Sequence, residues 1–87
     1  MNKTERIRRS NPHLFTAVPL VELAGEHRVL IENHHGVVVY EPCEIIIRVQ
    51  YGHLQITGCK LKLVQMTKEK LVITGDIASI CLQRYRP

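Results

Sequence analysis

The stretch Glu44-Ile-Ile-Ile-Arg-Val-Gln-Tyr51 decides the fold class, because its side chains alternate in character with a period of two. A period of two places neighbouring residues on opposite faces of a β-strand. One face is entirely apolar or aromatic and is predicted to be buried, whereas the other is mostly polar and is predicted to face outward. The predicted buried residues are Ile45, Ile47, Val49 and Tyr51, and the outward ones are Glu44, Ile46, Arg48 and Gln50.

The chain beyond this strand keeps the strand pattern and is interrupted by single glycines. Gly52 is predicted to turn the chain, and Gly58 to mark a bulge or sharp bend. The similar pentapeptides Leu54–Gly58 (LQITG) and Leu71–Gly75 (LVITG) lie 17 residues apart and are joined through a polar, hairpin-like connection at Thr67–Lys70. No segment sustains a helical period. We therefore expect an all-β domain with little helix, a small antiparallel meander curled at its glycines into a β-sandwich or roll. The repeat leaves a short β-solenoid as the alternative.

Three shorter strands are predicted on the N-terminal side. Arg28–Glu32 and Val37–Tyr40 flank the segment Asn33–Gly36, which is predicted to be a hairpin turn because Asn tolerates and Gly accepts the left-handed backbone region. An edge strand is expected around Val21–Leu23, since Pro19 does not fit a central strand.

Charge divides the 87 residues into a basic arm and a nearly neutral domain. Residues 1–13 are predicted to be a flexible arm, and residues 14–85 a single β domain. No apolar run approaches the ~20 residues of a membrane-spanning helix, and no clean signal peptide precedes the domain, so a cytoplasmic location is expected. The arm is a candidate for contact with an anionic surface through its cationic residues Lys3, Arg6, Arg8 and Arg9.

The sequence offers little for catalysis or cofactor binding. Its one Asp, Asp76, directly follows a glycine, and no serine lies in a nucleophile elbow and no glycine-rich phosphate loop occurs. An enzyme is therefore not expected, and neither a cofactor nor a small-molecule substrate is predicted. The adjacent histidines His34 and His35 are interpreted as polar residues of the turn. A metal site made of His and Cys ligands is a less favoured alternative. The four turn residues Asn33, His34, His35 and Gly36 are kept as candidate partner contacts.

The three cysteines, Cys43, Cys59 and Cys81, are widely spaced and are expected to be reduced and buried as small apolar side chains.

Two kinds of macromolecular partner can be weighed from the strands. Several of them, such as Val37–Val39 and Leu71–Ile73, are apolar on both faces, so either a second layer or a partner must cover them. A homo-oligomer is the expected result. Nucleic acid is the less favoured alternative, because the chain has few aromatic residues for stacking. For nucleic-acid binding, the candidate basic edge of the chain consists of Lys60, Lys62, Lys68 and Lys70.

The order of these segments resembles the YabP/YqfC family of sporulation proteins of endospore-forming bacteria. The resemblance extends over residues 18–83. Its most specific elements are the turn Glu32–Gly36 (ENHHG), the stretch Gly52–Gly58 (GHLQITG) and the closing Leu71–Gly75. The opening PLVELAG and the ENHHG turn favour the YqfC type over the YabP type.

The resemblance implies a non-enzymatic structural or assembly role in the mother cell, during formation of the spore cortex and coat. Relatives of the YqfC type are typically encoded beside an integral membrane protein, which implies a membrane-linked partner and a peripheral position at the membrane surrounding the forespore. The resemblance carries no catalytic or metal residues over to this chain.

Overall fold

The computed structural model describes residues 18–85, which form one six-stranded antiparallel sheet. The strand order in the sheet is β1-β2-β6-β5-β4-β3. The predicted basic arm, and residues 14–17 of the predicted domain, lie outside the described residues. The strands are β1 Leu20–Ala24, β2 Arg28–Glu32, β3 Val37–Glu41, β4 Glu44–Val49, β5 Gly52–Met66 and β6 Lys70–Arg84.

The two longest strands, β5 and β6, belong to two different parts of the sheet. The first part of β5 pairs with β4, from Gly52 to Thr57. The first part of β6 pairs with β2, from Lys70 to Thr74. Each short strand thus extends the sheet on one side of a bend and leaves the other part of its long neighbour uncovered. The result is two layers that share the β5–β6 hairpin.

The hydrophobic core lies between these two layers. Residues from β2 and the first part of β6 cluster with residues from β4 and the first part of β5, and all are at least 95% buried. Because the clustered residues come from both sides of the bend, the sheet folds back on itself around one core. The core residues are Val29, Ile31, Ile45, Ile47, Val49, Leu54, Ile56, Leu61, Leu71 and Ile73.

Two glycines make the bend possible. A Cβ at Gly58 would overlap the carbonyl oxygen of Asp76 on the neighbouring strand. A Cβ at Gly75 would lie 2.6 Å from the carbonyl oxygen of Lys60, and the backbone there has φ +135°. The β5–β6 register shifts on both sides of this point. These are the glycines that end the LQITG and LVITG repeats.

The fold class predicted from the sequence is confirmed. Every strand pair is antiparallel, and the sheet curls at its glycines as expected for a sandwich or roll. The strands β3 to β6 form a meander, and β1 is the predicted edge strand. The solenoid alternative is wrong, because solenoid coils stack their strands in parallel. Within residues 18–85 no helix is long and apolar enough to cross a membrane.

The hairpin predicted at Asn33–Gly36 is wrong. Strand β2 lies between β1 and β6, whereas β3 lies at the far edge of the sheet beside β4. The segment therefore crosses from one layer to the other. Asn33 has φ +63° and Gly36 has φ +113°, so the left-handed conformations that suggested a hairpin are present, but they serve a crossing connection.

The prediction that Tyr51 belongs to the core is also wrong. Tyr51 has φ +63° and is 73% exposed. The strand ends at Val49, so the alternation that buries Ile45, Ile47 and Val49 stops before it reaches Tyr51. The tight connection to β5 turns the ring outward.

Candidate interaction surface

The crossing segment Asn33–Gly36 is held mainly by backbone groups from other parts of the chain. The N–H of Asn33 donates to the carbonyl of Glu69 at 2.8 Å, and its side-chain amide donates to the carbonyl of Val18, also at 2.8 Å. The N–H of His35 donates to the carbonyl of Arg48 at 2.7 Å. The segment thus connects β2, the β5–β6 turn and β4.

His34 is buried at the centre of this segment, with 7% of its surface exposed. Its Nε2 donates to the carbonyl of Thr67 at 2.9 Å, and its Nδ1 accepts the N–H of Gly36 at 3.0 Å. A carbonyl can only accept and an N–H can only donate, so the ring is neutral with its proton on Nε2. Both ring nitrogens are used within the protein, and neither is free to bind a metal ion or a partner.

Of the four residues predicted as partner contacts, only His35 presents an exposed side chain. Asn33 and His34 use their side chains internally, and Gly36 has none. The motif therefore has a structural task in this chain. The predicted anionic-surface contacts Lys3, Arg6, Arg8 and Arg9 lie outside the described residues.

A small polar cluster, which the sequence analysis did not find, lies beside the bend. His27 Nδ1 is 3.3 Å from the carboxylate of Asp76, and Nε2 is 3.9 Å from that of Glu26. These side chains and Cys59 line a hollow of about 280 Å³. His27 and Asp76 are separated by 49 positions, so only their placement near the bend brings them together. Both side chains are more than 60% exposed, and ion pairs with this exposure are weak.

The cysteines are free, as predicted, but their predicted burial is wrong. Cys43, Cys59 and Cys81 are all exposed. Cys81 pairs with Gln55 on the outer face of the sheet, since its neighbours in β6 face the core side. In the part of the chain that the structure describes, no three His, Cys, Asp or Glu side chains are grouped so that they could hold one metal ion.

An apolar groove lies between the residues that precede β1, the β4–β5 connection and the end of β6. Val21 and Leu23 of β1 pair with Ile31 and Val29 and therefore point to the core side, yet they remain 41% and 51% exposed. Leu82 of β6, which lines the groove, is 45% exposed. The groove has a volume of about 380 Å³ and is lined by Val18, Pro19, Gln50, Tyr51, Leu82 and Arg84.

The second part of β6 also has an open backbone edge. Strand β2 pairs with β6 only as far as Thr74, and two further hydrogen bonds, from Gly75 and Ile77 to the carbonyls of His27 and Glu26, end this contact. From Ser79 to Arg84, the strand pairs with β5 on one side, and no described strand pairs with it on the other. An open strand edge beside exposed apolar side chains is a typical surface for adding another strand.

Comparison with known proteins supplies the family. The model of the YabP family matches residues 17–86, which is most of the chain and includes every described strand. The chain belongs to the YabP family. This family is associated with sporulation. A search of the curated proteins finds no match, and a search of the solved structures finds none either.

The YabP match includes the crossing segment, the bend glycines and the open edge of β6. The basic residues of the predicted arm precede the match. The resemblance inferred from the ENHHG, GHLQITG and LVITG motifs is thereby confirmed at the level of the family.

Proposed function

We propose that this YabP-family protein is a non-enzymatic assembly protein of the mother cell that helps to build the spore cortex and coat. It associates with itself through its β domain and docks on an integral membrane protein at the membrane surrounding the forespore. The observation that carries this proposal is the open, apolar edge of β6 beside the groove. A surface of this kind binds polypeptide through backbone hydrogen bonds and apolar contacts.

The exposed apolar residues support a protein partner. Val21, Leu23 and Leu82 point to the core side of their strands but are not covered by described residues. Apolar surface that a partner removes from water contributes about 25 cal/mol per Å². An apolar groove, together with an edge that can accept a strand, concentrates this gain in one place.

The solution mass tests self-association. Light scattering after gel filtration, at low and at high salt, is expected to give one defined mass above that of the 10.0 kDa monomer under both conditions. Apolar and backbone contacts are only weakly screened by salt, whereas an assembly held by surface charges would dissociate at high salt. A monomer at both salts would contradict the self-association part of the proposal.

A fractionation experiment tests docking on a membrane protein. A tagged copy is expected to sediment with membranes of sporulating cells, to resist a high-salt wash, and to be released by detergent together with its partner. Release by salt alone would indicate headgroup binding through the basic arm instead. Absence from the membrane fraction would contradict docking altogether. The YqfC type predicted from the sequence belongs to this part of the proposal, because it is the type that implies a membrane partner.

A further inference from the structure

The hydrogen bond between Tyr85 and Tyr51 determines which residues of β6 face the open edge. The N–H of Tyr85 donates to the carbonyl of Tyr51 at 2.8 Å, next to the pair Gly52–Arg84. In an antiparallel ladder, hydrogen-bonded and non-bonded pairs alternate. The register is uninterrupted from Ser79 to Arg84. Within it, the backbone groups of the odd-numbered residues of β6 therefore form hydrogen bonds with β5. The residues whose N–H and C=O groups point away from β5 are Ile80, Leu82 and Arg84.

The other edges of the sheet are protected by means that proteins commonly use against unwanted strand pairing. On the second part of β5, the N–H of Leu61 donates to the carbonyl of Pro42 and the N–H of Leu63 to the hydroxyl of Tyr40. The edge strand β3 contains a register shift between Val37 and Val39. The edge strand β1 carries Glu22 at its centre, so antiparallel self-pairing there would oppose two carboxylates.

Among the described residues, none of these protections occurs along the segment Ser79–Arg84, and the segment is complementary to itself. We infer that two copies of this chain pair antiparallel along this segment, related by a twofold axis at Cys81. In this register Ile80 of the first copy lies opposite Leu82 of the second, and Leu82 of the first lies opposite Ile80 of the second. The inference rests on the self-association proposed above and adds the surface and the register.

This register satisfies the open edge better than the neighbouring ones. Ile80 and Leu82 both present outward backbone groups, so their two pairings form about four hydrogen bonds between the copies. The same pairings place apolar side chains opposite each other on the groove side, where Leu82 is exposed. Arg84, the one charge in the segment, falls opposite Ala78, the small bulged residue that precedes the segment. A shift that centres the axis on Leu82 would instead place Arg84 opposite Ile80.

The register brings the two Cys81 side chains together on the outer face. Cys81 would form a non-hydrogen-bonded antiparallel pair, in which the Cα atoms are about 4.5 Å apart. Disulfides form across Cα separations of about 4.4–6.8 Å. The free thiol of Cys81 is exposed, so a thiol reagent can reach it. Cys43 and Cys59 are also free and exposed but lie outside the pairing segment, which makes them matched controls.

Crosslinking of three single-cysteine proteins in the full-length chain tests the register. The oxidant is diamide, which takes up the two hydrogens of a thiol pair as the S–S bond forms and is reduced to a hydrazine. The C43S/C59S protein, which keeps Cys81, is expected to give a covalent dimer at least tenfold faster than the two proteins that keep Cys43 or Cys59. Leu82→Lys in the Cys81 background is expected to abolish this advantage and lower the solution mass. Val64→Lys, at a similarly exposed apolar position (50%) on the second part of β5, is expected to change neither.

The outcomes separate this inference from the proposal on which it rests. A stable oligomer that shows no preferred Cys81 crosslink and is insensitive to Leu82→Lys would overturn the β6 register but leave self-association intact. A monomer without the crosslink would overturn both. In a monomer, slow hydrogen exchange at the amides of Ile80, Leu82 and Arg84 would overturn the inference by showing that the chain before Val18 occupies the edge.

Discussion

His34 and Thr67 are joined by a hydrogen bond that links the crossing segment to the β5–β6 turn. The buried Nε2 of His34 donates to the carbonyl of Thr67 at 2.9 Å, although 33 positions separate the two residues. In the same turn, the carbonyl of Glu69 accepts a hydrogen bond from the N–H of Asn33. The hairpin of long strands is thus attached at its tip to the connection that passes between the two layers.

The first prediction concerns the free energy of unfolding after His34→Ala. The substitution removes the buried ring and leaves the carbonyl of Thr67 and the N–H of Gly36 without their part-buried hydrogen-bond partners, and we expect a loss of about 1–3 kcal/mol. Urea unfolding followed by circular dichroism measures it. His35→Ala is the matched control, because that neighbouring side chain is exposed, and a change within about 0.5 kcal/mol is expected.

Two further substitutions distinguish the roles of the His34 ring nitrogens. His34→Gln can still donate to Thr67, and His34→Asn can still accept from Gly36, so each is expected to lie between the wild type and His34→Ala. Equal losses for His34→Ala and His35→Ala would contradict the structural role of His34.

The second prediction concerns the bend. Gly58→Ala is expected to lower the free energy of unfolding by at least about 3 kcal/mol, because the added methyl group would overlap backbone atoms of Asp76. The control is Gly25→Asn. Gly25 has φ +62° and open space around it, and Asn tolerates this conformation, so a change within about 0.5 kcal/mol is expected. Thermal and urea unfolding of both variants measure the difference. Similar stabilities would mean that the bend does not require close strand approach at Gly58.

The strands could be predicted from the sequence because their cause is local. Alternation over Ile45, Ile47 and Val49 needs only a period of two and a core on one side, and both hold in the structure. The bend at Gly58 was predictable for a similar reason, since a glycine within a strand marks close backbone approach. The family resemblance depended on the order of motifs and was confirmed over residues 17–86.

The pairing of strands could not be predicted, because it depends on contacts distant in the sequence. Asn33 and Gly36 have the positive φ values of a hairpin, yet β2 pairs with β1 and β6. The burial of His34 depends on its contact with Thr67, and the exposure of Cys81 follows from its position on the outer face of the sheet opposite Gln55. Neither neighbour is visible from the local pattern. The open edge was therefore anticipated only in general, as apolar strands in need of a partner.

The third prediction concerns the protected edge of β5. Tyr40→Phe removes the hydroxyl that accepts the N–H of Leu63 at 3.0 Å. We expect the amide of Leu63 to exchange with solvent at least tenfold faster and the free energy of unfolding to fall by about 0.5–1 kcal/mol. Hydrogen exchange followed by NMR measures the first effect. Tyr51→Phe is the control, because Tyr51 is 73% exposed, and Leu63 exchange should not change in that variant. An unchanged Leu63 amide in Tyr40→Phe would show that the edge is protected by another group.

The fourth prediction concerns the basic arm, and it separates two sets of cations with equal charge. Binding to vesicles that contain anionic lipid is expected to fall by about 100-fold or more when Lys3, Arg6, Arg8 and Arg9 are all replaced by Gln, because each basic residue near such a surface contributes about 1 kcal/mol.

Replacing the four lysines of the β5–β6 hairpin, Lys60, Lys62, Lys68 and Lys70, by Gln removes the same charge, but we expect at most a few-fold change in vesicle binding. Lys70 already lies 3.8 Å from Glu32, and the sheet as a whole is nearly neutral. Co-sedimentation at low and physiological salt measures both variants, and binding by the wild type should weaken as salt rises. A larger loss in the hairpin variant than in the arm variant would reverse the assignment. It would also favour the nucleic-acid alternative, in which these lysines form a basic edge. The same two variants would then test that alternative in a binding assay with a nucleic-acid duplex in place of the vesicle.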